Sequence, residues 1–140
     1  MSKRALELSL LGERFQLMRF STESDWPGLL RKLAPLFDST DTWFFSHTPE
    51  EISLVCRSTI ELTPERVEPN WRCFKVEGPL DFSLTGILAG LTDVLAHSDV
   101  SVFALSTFDT DYILVPLEQH PAAIVALERN GYIVRQPREE

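Results

Sequence analysis

Two short segments of this 140-residue chain gather groups able to hold a small charged molecule. The first is Gly78-Pro79-Leu80-Asp81-Phe82-Ser83, between a strand-like run and an apolar helical run. A turn into a helix N-terminus presents unpaired N–H groups and partial positive charge, which suits a carboxylate. Gly78 leaves space for a ligand against the backbone. Asp81 can cap the helix or receive an ammonium or guanidinium group. The second is Ser106-Thr107-Phe108-Asp109-Thr110-Asp111, which places hydroxyls and two carboxylates around one aromatic ring. Asp109 and Asp111 also suggest a cation, but the central Gly and distal Glu of a calcium loop are missing, so no metal is expected. On spacing alone, a capped turn and a solvated hairpin loop are the favoured readings of the two segments.

The elements that must position these segments have clear periodicities. Residues 71–77 read as a strand with Phe74 and Val76 on one face. Leu84, Ile87, Leu88, Leu91, Val94 and Leu95 form one helical stripe, with Asp81 or Ser83 as its cap. Gly86 and Gly90 lie off the stripe and would let another backbone approach. Strands are expected at 100–106 and 111–115. A second helix is expected from Pro121, with Ile124 and Leu127 inward and Asn130-Gly131 at its end. Tyr132-Ile133-Val134 closes the order β-α-β-β-α-β. This is the ferredoxin-like arrangement, an α+β fold with two helices on one face of a four-stranded antiparallel sheet.

The first half is less regular. Leu6, Leu8 and Leu10 alternate with polar residues, Gly12-Glu13 can turn, and Phe15 and Leu17 continue, which reads as a hairpin. Asp25-Trp26-Pro27-Gly28 reads as a helix entry or a turn. Leu29, Leu30, Leu33, Leu36 and Phe37 follow with helical spacing, shortened by Pro35. Strands at 42–46 and 52–57 form a second hairpin. Residues 58–70, with Pro64 and Pro69, read as a linker. The first half is thus a degenerate form of the same arrangement without a second full helix.

Composition narrows the function. A net charge of −8 argues against phosphate backbones and anionic membranes as partners. No targeting segment or bilayer-spanning run is evident, and Cys56 and Cys73 read as buried reduced thiols, so the cytoplasm is expected. His47, His97 and His120 read as structural or solvent-exposed. No nucleophile elbow, phosphate loop or zinc motif is present, so no catalytic residue, cofactor or enzyme activity is expected.

Residues 74–88 followed by residues 101–115 carry a family resemblance. The Gly78-Pro79-Leu80-Asp81-Phe82 turn and the Ser106-Thr107-Phe108-Asp109-Thr110-Asp111-Tyr112 loop, at this separation, resemble the ACT domains of a small bacterial group. They are also similar to the cytosolic arginine sensors that control the TOR kinase complex, and more distantly to aspartate kinase regulatory domains. The resemblance implies an ACT domain over residues 67–140 and a degenerate ACT-like domain over 1–66. It implies ligand contacts from Gly78, Asp81, Phe82, Thr107, Phe108 and Asp111. Backbone near Gly78 and Phe82 would receive a carboxylate, and Asp81 and Asp111 cationic groups. Thr107 would add a hydrogen bond and Phe108 an apolar cover. The expected function is regulatory binding of a small molecule, an amino acid, at a joint between the halves or between two chains. A homodimer is left open. The alternative is an ACT-fold protein-interaction module without a ligand.

Overall fold

The computed structural model describes residues 6–78 and 85–137. These form two compact units. One comprises residues 1–13 and 71–140, the other residues 14–70.

The smaller unit begins with β2 (Phe15–Phe20); the preceding strand, β1 (Glu7–Leu10), belongs to the other unit. After β2 come the helices α1 (Trp26–Lys32) and α2 (Ala34–Phe37) and the strands β3 (Phe44–His47) and β4 (Ile52–Arg57). Asp25-Trp26-Pro27-Gly28 is a helix entry. The Asp25 carboxylate accepts from the Gly28 N–H at 3.2 Å, and Pro27 occupies the first turn, where its missing N–H costs nothing. Pro35 has no N–H to continue α1, so the helical stretch divides at Leu33, and Pro35 opens α2. The strand order is β3-β4-β2, all antiparallel. Met18, Phe20, Leu29, Leu33, Leu36, Ile52 and Leu54 bury together in its core.

Residues 58–70 are not a free linker. The buried Gln16 side chain donates to the Ile60 carbonyl at 2.8 Å and the Arg57 carbonyl at 3.1 Å. The Glu65 N–H donates to the Arg19 carbonyl at 2.9 Å, and the Arg19 guanidinium to Glu65 at 2.7 Å. Residues 66–70 open the long strand β5 (Arg66–Val76). Within it Asn70 has φ 66, a left-handed conformation that Asn adopts more readily than other non-glycine residues.

The larger unit contains the end of β5, then α3 (Ile87–His97), β6 (Phe103–Ser106), β7 (Asp111–Pro116), α4 (His120–Arg129) and β8 (Ile133–Arg135). Pro121 sits in the first turn of α4, and Gly131 follows its end at φ 89. The strand order β6-β7-β5 repeats the β3-β4-β2 order of the smaller unit, so β-α-β-β connectivity occurs twice.

Two expectations change here. Among the described residues the larger unit contributes five paired strands, because β1 lies between β5 and β8. It pairs antiparallel with β5 and parallel with β8 instead of forming a hairpin with the run that follows it. The reason is burial. Leu8 and Leu10 join Phe74, Val76, Leu91, Leu95, Ile113 and Leu127 in one core, and burying a leucine contributes about 1.5–3 kcal/mol. Glu7 forms a two-point ion pair with Arg135 at 3.1 Å, which secures the same register.

The second change is the start of α3. It begins at Ile87, and Gly86 at its N-cap has φ 76, which a helix cannot pass through. The expected caps Asp81 and Ser83 lie outside the described residues. Gly90 faces a side chain, not a backbone: a Cβ there would stand 3.1 Å from the Tyr132 hydroxyl.

Candidate functional site

Alternation along β5 and β7 sets the site. Phe74 and Val76 point into the helix-covered core, as do Ile113 and Val115. Lys75 therefore faces the opposite side, opposite Tyr112 in the pairing. Asp111 is in phase with Ile113 and so lies on the helix-bearing side, at the end of the sheet.

The same pairing brings Gly78, the one described residue of the first sequence-predicted segment, towards the second. Lys75 is opposite Tyr112, so the end of β5 that carries Gly78 runs beside the loop preceding β7. Thr110 ties the loop to the end of β5 by a hydrogen bond. Its side chain is only 5% exposed, and its hydroxyl donates to the Val76 carbonyl at 2.6 Å. Thr107 closes the loop on itself: its N–H donates to the Thr110 carbonyl at 2.8 Å, and its hydroxyl to the same oxygen at 3.2 Å.

Beside these groups lies a half-open cleft of about 170 Å³ lined by Lys75, Gly78, Asp109 and Thr110. Of the residues expected at the site, Gly78 is on its wall. Thr107, Phe108 and Asp111 are close by in the loop and strand but do not line it. Phe108 is 80% exposed. Asp81 and Phe82 lie outside the described residues. Of the other lining residues, sequence reasoning did not single out Lys75 or Thr110 and weighed Asp109 only for a cation. Asp109 and Thr110 stood within the chosen loop, and Lys75 was legible as the polar residue between Phe74 and Val76.

Asp111 has a distinct electrostatic setting. It is half-buried, and the Ser106 hydroxyl donates to its Oδ1 at 2.6 Å. Among the described residues no lysine, arginine or histidine forms an ion pair with it. A neutral hydroxyl orients a carboxylate without neutralising it. Among the described residues no cluster of three metal-ligating side chains occurs.

The cysteines play another part. Burial pushes the Cys73 thiol up to about 12, with the nearby Glu13 carboxylate adding to the effect. Burial likewise raises Cys56 to about 11, partly opposed by a hydrogen bond from Gln16. Both are free, buried and neutral at physiological pH. No helix among the described residues is long and apolar enough to cross a membrane.

Residues 66–129 match the family model of the ACT domain. The human cytosolic arginine sensor for mTORC1 subunit 1 is 38% identical over 60 residues, which is 42% of this chain and 18% of that protein. The chain thus spans under a fifth of the length of the curated relatives it matches. A crystal structure of an Agobacterium tumefaciens protein superposes with a TM-score of 0.80 at 26% identity, covering 99% of this chain and 98% of that one. The ligand-free regulatory subunit of aspartate kinase from Thermus thermophilus superposes at 0.64 with 12% identity, covering 87% and 95%. That last likeness is one of fold. Over residues 66–129, this chain is similar in sequence to the ACT domain.

Proposed function

We propose that this protein is a regulatory binder of an amino acid, with the ligand held at the sheet end between the Gly78 turn and the Thr107–Asp111 loop. The observation that carries this reading is Asp111: a half-buried carboxylate, oriented by Ser106, with no cationic partner among the described residues. A ligand ammonium or guanidinium group meets that need. Backbone groups near Gly78 and Phe82 then receive the carboxylate. Asp81 adds a second acceptor for positive charge, Thr107 a hydrogen bond and Phe108 an apolar cover. Support comes also from the relatives, one named as an arginine sensor and another as a regulatory subunit. On this reading the protein acts in the cytoplasm and catalyses nothing. The N-terminal half serves as a companion domain of the same fold.

A thermal-shift panel of the twenty amino acids and several nucleotides tests it. A ligand at 100 times its dissociation constant adds about 2.7 kcal/mol to the native state. The expected result is a rise in melting temperature with one amino acid, lost in Asp111→Ala. A hit retained in that variant removes Asp111 from the site. Silence across the panel supports an interaction module that binds protein instead.

A further inference from the structure

Asparagine occurs at two positions in the chain, Asn70 and Asn130. Both are exposed, so access to water does not tell them apart. The residue that follows does: Trp71 after Asn70, Gly131 after Asn130. That difference bears on a reaction the chain can carry out on itself. The backbone nitrogen after an asparagine can attack the asparagine side chain at Cγ. A bulky residue hinders the approach, whereas glycine, with no Cβ, leaves its nitrogen open.

The fold puts Asn130-Gly131 at a junction. Asn130 is the C-cap of α4, and β8 begins at Ile133. Two hydrogen bonds hold the reacting groups in place. The Asn130 side-chain amide donates to the Ala126 carbonyl at 2.8 Å, and the Gly131 N–H donates to the Glu128 carbonyl at 3.1 Å. Asn130 stands at ψ 17, and closing a five-membered ring onto the Gly131 nitrogen requires turning ψ well away from that value. The attack therefore waits until the last turn of α4 opens, and helix ends open more readily than helix centres.

We propose that Asn130-Gly131 is a site of spontaneous deamidation, latched by the end of α4. In the opened state the Gly131 nitrogen attacks Asn130 Cγ. A new C–N bond forms, the Cγ–Nδ2 bond breaks, and Nδ2 leaves as ammonia with the proton that Gly131 gave up. A succinimide remains. Water then adds to one of its two carbonyls. Opening at Cγ gives aspartate, and opening at the backbone carbonyl gives isoaspartate. Either product undoes the latch. A carboxylate at position 130 no longer donates to Ala126, and its charge lies beside helix-end carbonyls that already carry partial negative charge. Isoaspartate also adds one carbon to the backbone between α4 and β8. Over that stretch the Tyr132 N–H must reach the Leu127 carbonyl at 3.1 Å and the Ile133 N–H the Leu6 carbonyl at 3.0 Å. The reaction thus loosens β8 from its partner β1.

The test incubates the full chain at pH 8 and 37 °C, with and without urea, for several weeks. Peptide mapping by liquid chromatography and mass spectrometry separates asparagine, aspartate and isoaspartate. Conversion is expected at Asn130, with Asn70 converted less than about a tenth as far. Because two hydrogen bonds hold the site shut, conversion without urea should be about tenfold or more slower, yet detectable within those weeks. Asn130→Asp, made directly, should quicken amide exchange at Tyr132 and Ile133 more than in α3. The proposal is overturned if Asn130 stays intact in the native protein, or if Asn70 converts as fast. It is equally overturned if urea leaves the rate at Asn130 unchanged, or if Asn130→Asp leaves exchange at Tyr132 and Ile133 as in wild type.

Discussion

The Thr110 hydroxyl and the Val76 carbonyl are joined by a 2.6 Å hydrogen bond in a buried position. It fixes the loop before β7 to the strand end that carries Gly78. Thr110→Val keeps the shape and removes the donor, leaving a buried carbonyl unpaired, at a cost of about 1–3 kcal/mol. Urea denaturation should show that loss. Amide exchange should quicken at Gly78 before it quickens in α4.

Asp111→Asn separates charge from shape. The amide oxygen can still accept from Ser106, so stability should stay within about 0.5 kcal/mol of wild type. Affinity for a cationic ligand group should fall tenfold or more. Calorimetric titration with the amino acid that responds in the panel reads the second effect, and thermal melting the first.

Leu8 is fully buried in the core of the larger unit. Leu8→Ala should cost about 2–5 kcal/mol through lost burial and the cavity left behind. Amide exchange should place the loss in β5, α3 and α4. Leu30→Ala, at an exposed position on α1, should cost little by comparison.

Both thiols hold their protons more tightly in the folded chain than in the unfolded one, where the ordinary value is 9.0. Their contribution is complete below pH 9 and is lost as pH rises towards 11 and 12. Stability should therefore decline above pH 9, less steeply in Cys73→Ala once its own packing loss is subtracted. Iodoacetamide at pH 8 should label both cysteines slowly in the native protein and quickly in denaturant.

His97 titrates above its ordinary value, first because its ring bonds the Asp93 carbonyl at 2.8 Å and second because of the Asp93 carboxylate. Asp93→Asn removes only the second cause. The His97 pKa, followed by NMR, should fall part of the way and remain elevated. Whatever stability the charged ring lends α3 is present below the ordinary value and lost as pH rises through the raised one.

Local periodicity made most elements legible. The stripe from Ile87 to Leu95, Pro121 at the start of α4 and the 52–57 strand all stand where their spacing put them. Pairing over long distances was not legible. Leu8 and Leu10 alternate in a way that fits a hairpin as well as insertion between β5 and β8, and only the core of the larger unit decides. The start of α3 was misplaced because Asp81 and Ser83 have the chemistry of caps, whereas the left-handed Gly86 sets the boundary. For the candidate site, the sequence singled out the 106–111 loop and Gly78, but it did not show that Thr110, a threonine between two aspartates, ties that loop to the end of β5.

The placement of β1 has a consequence for synthesis. Glu7 is made before Arg135, its partner in β8, which comes 128 residues later. At roughly 5–20 residues per second, that interval is about 6–26 seconds. During it every residue of the smaller unit is made, and β1 can gain β5 but not β8. A ribosome that stalls before β8 would hold a chain whose first strand has one bare edge, open to whatever strand reaches it first.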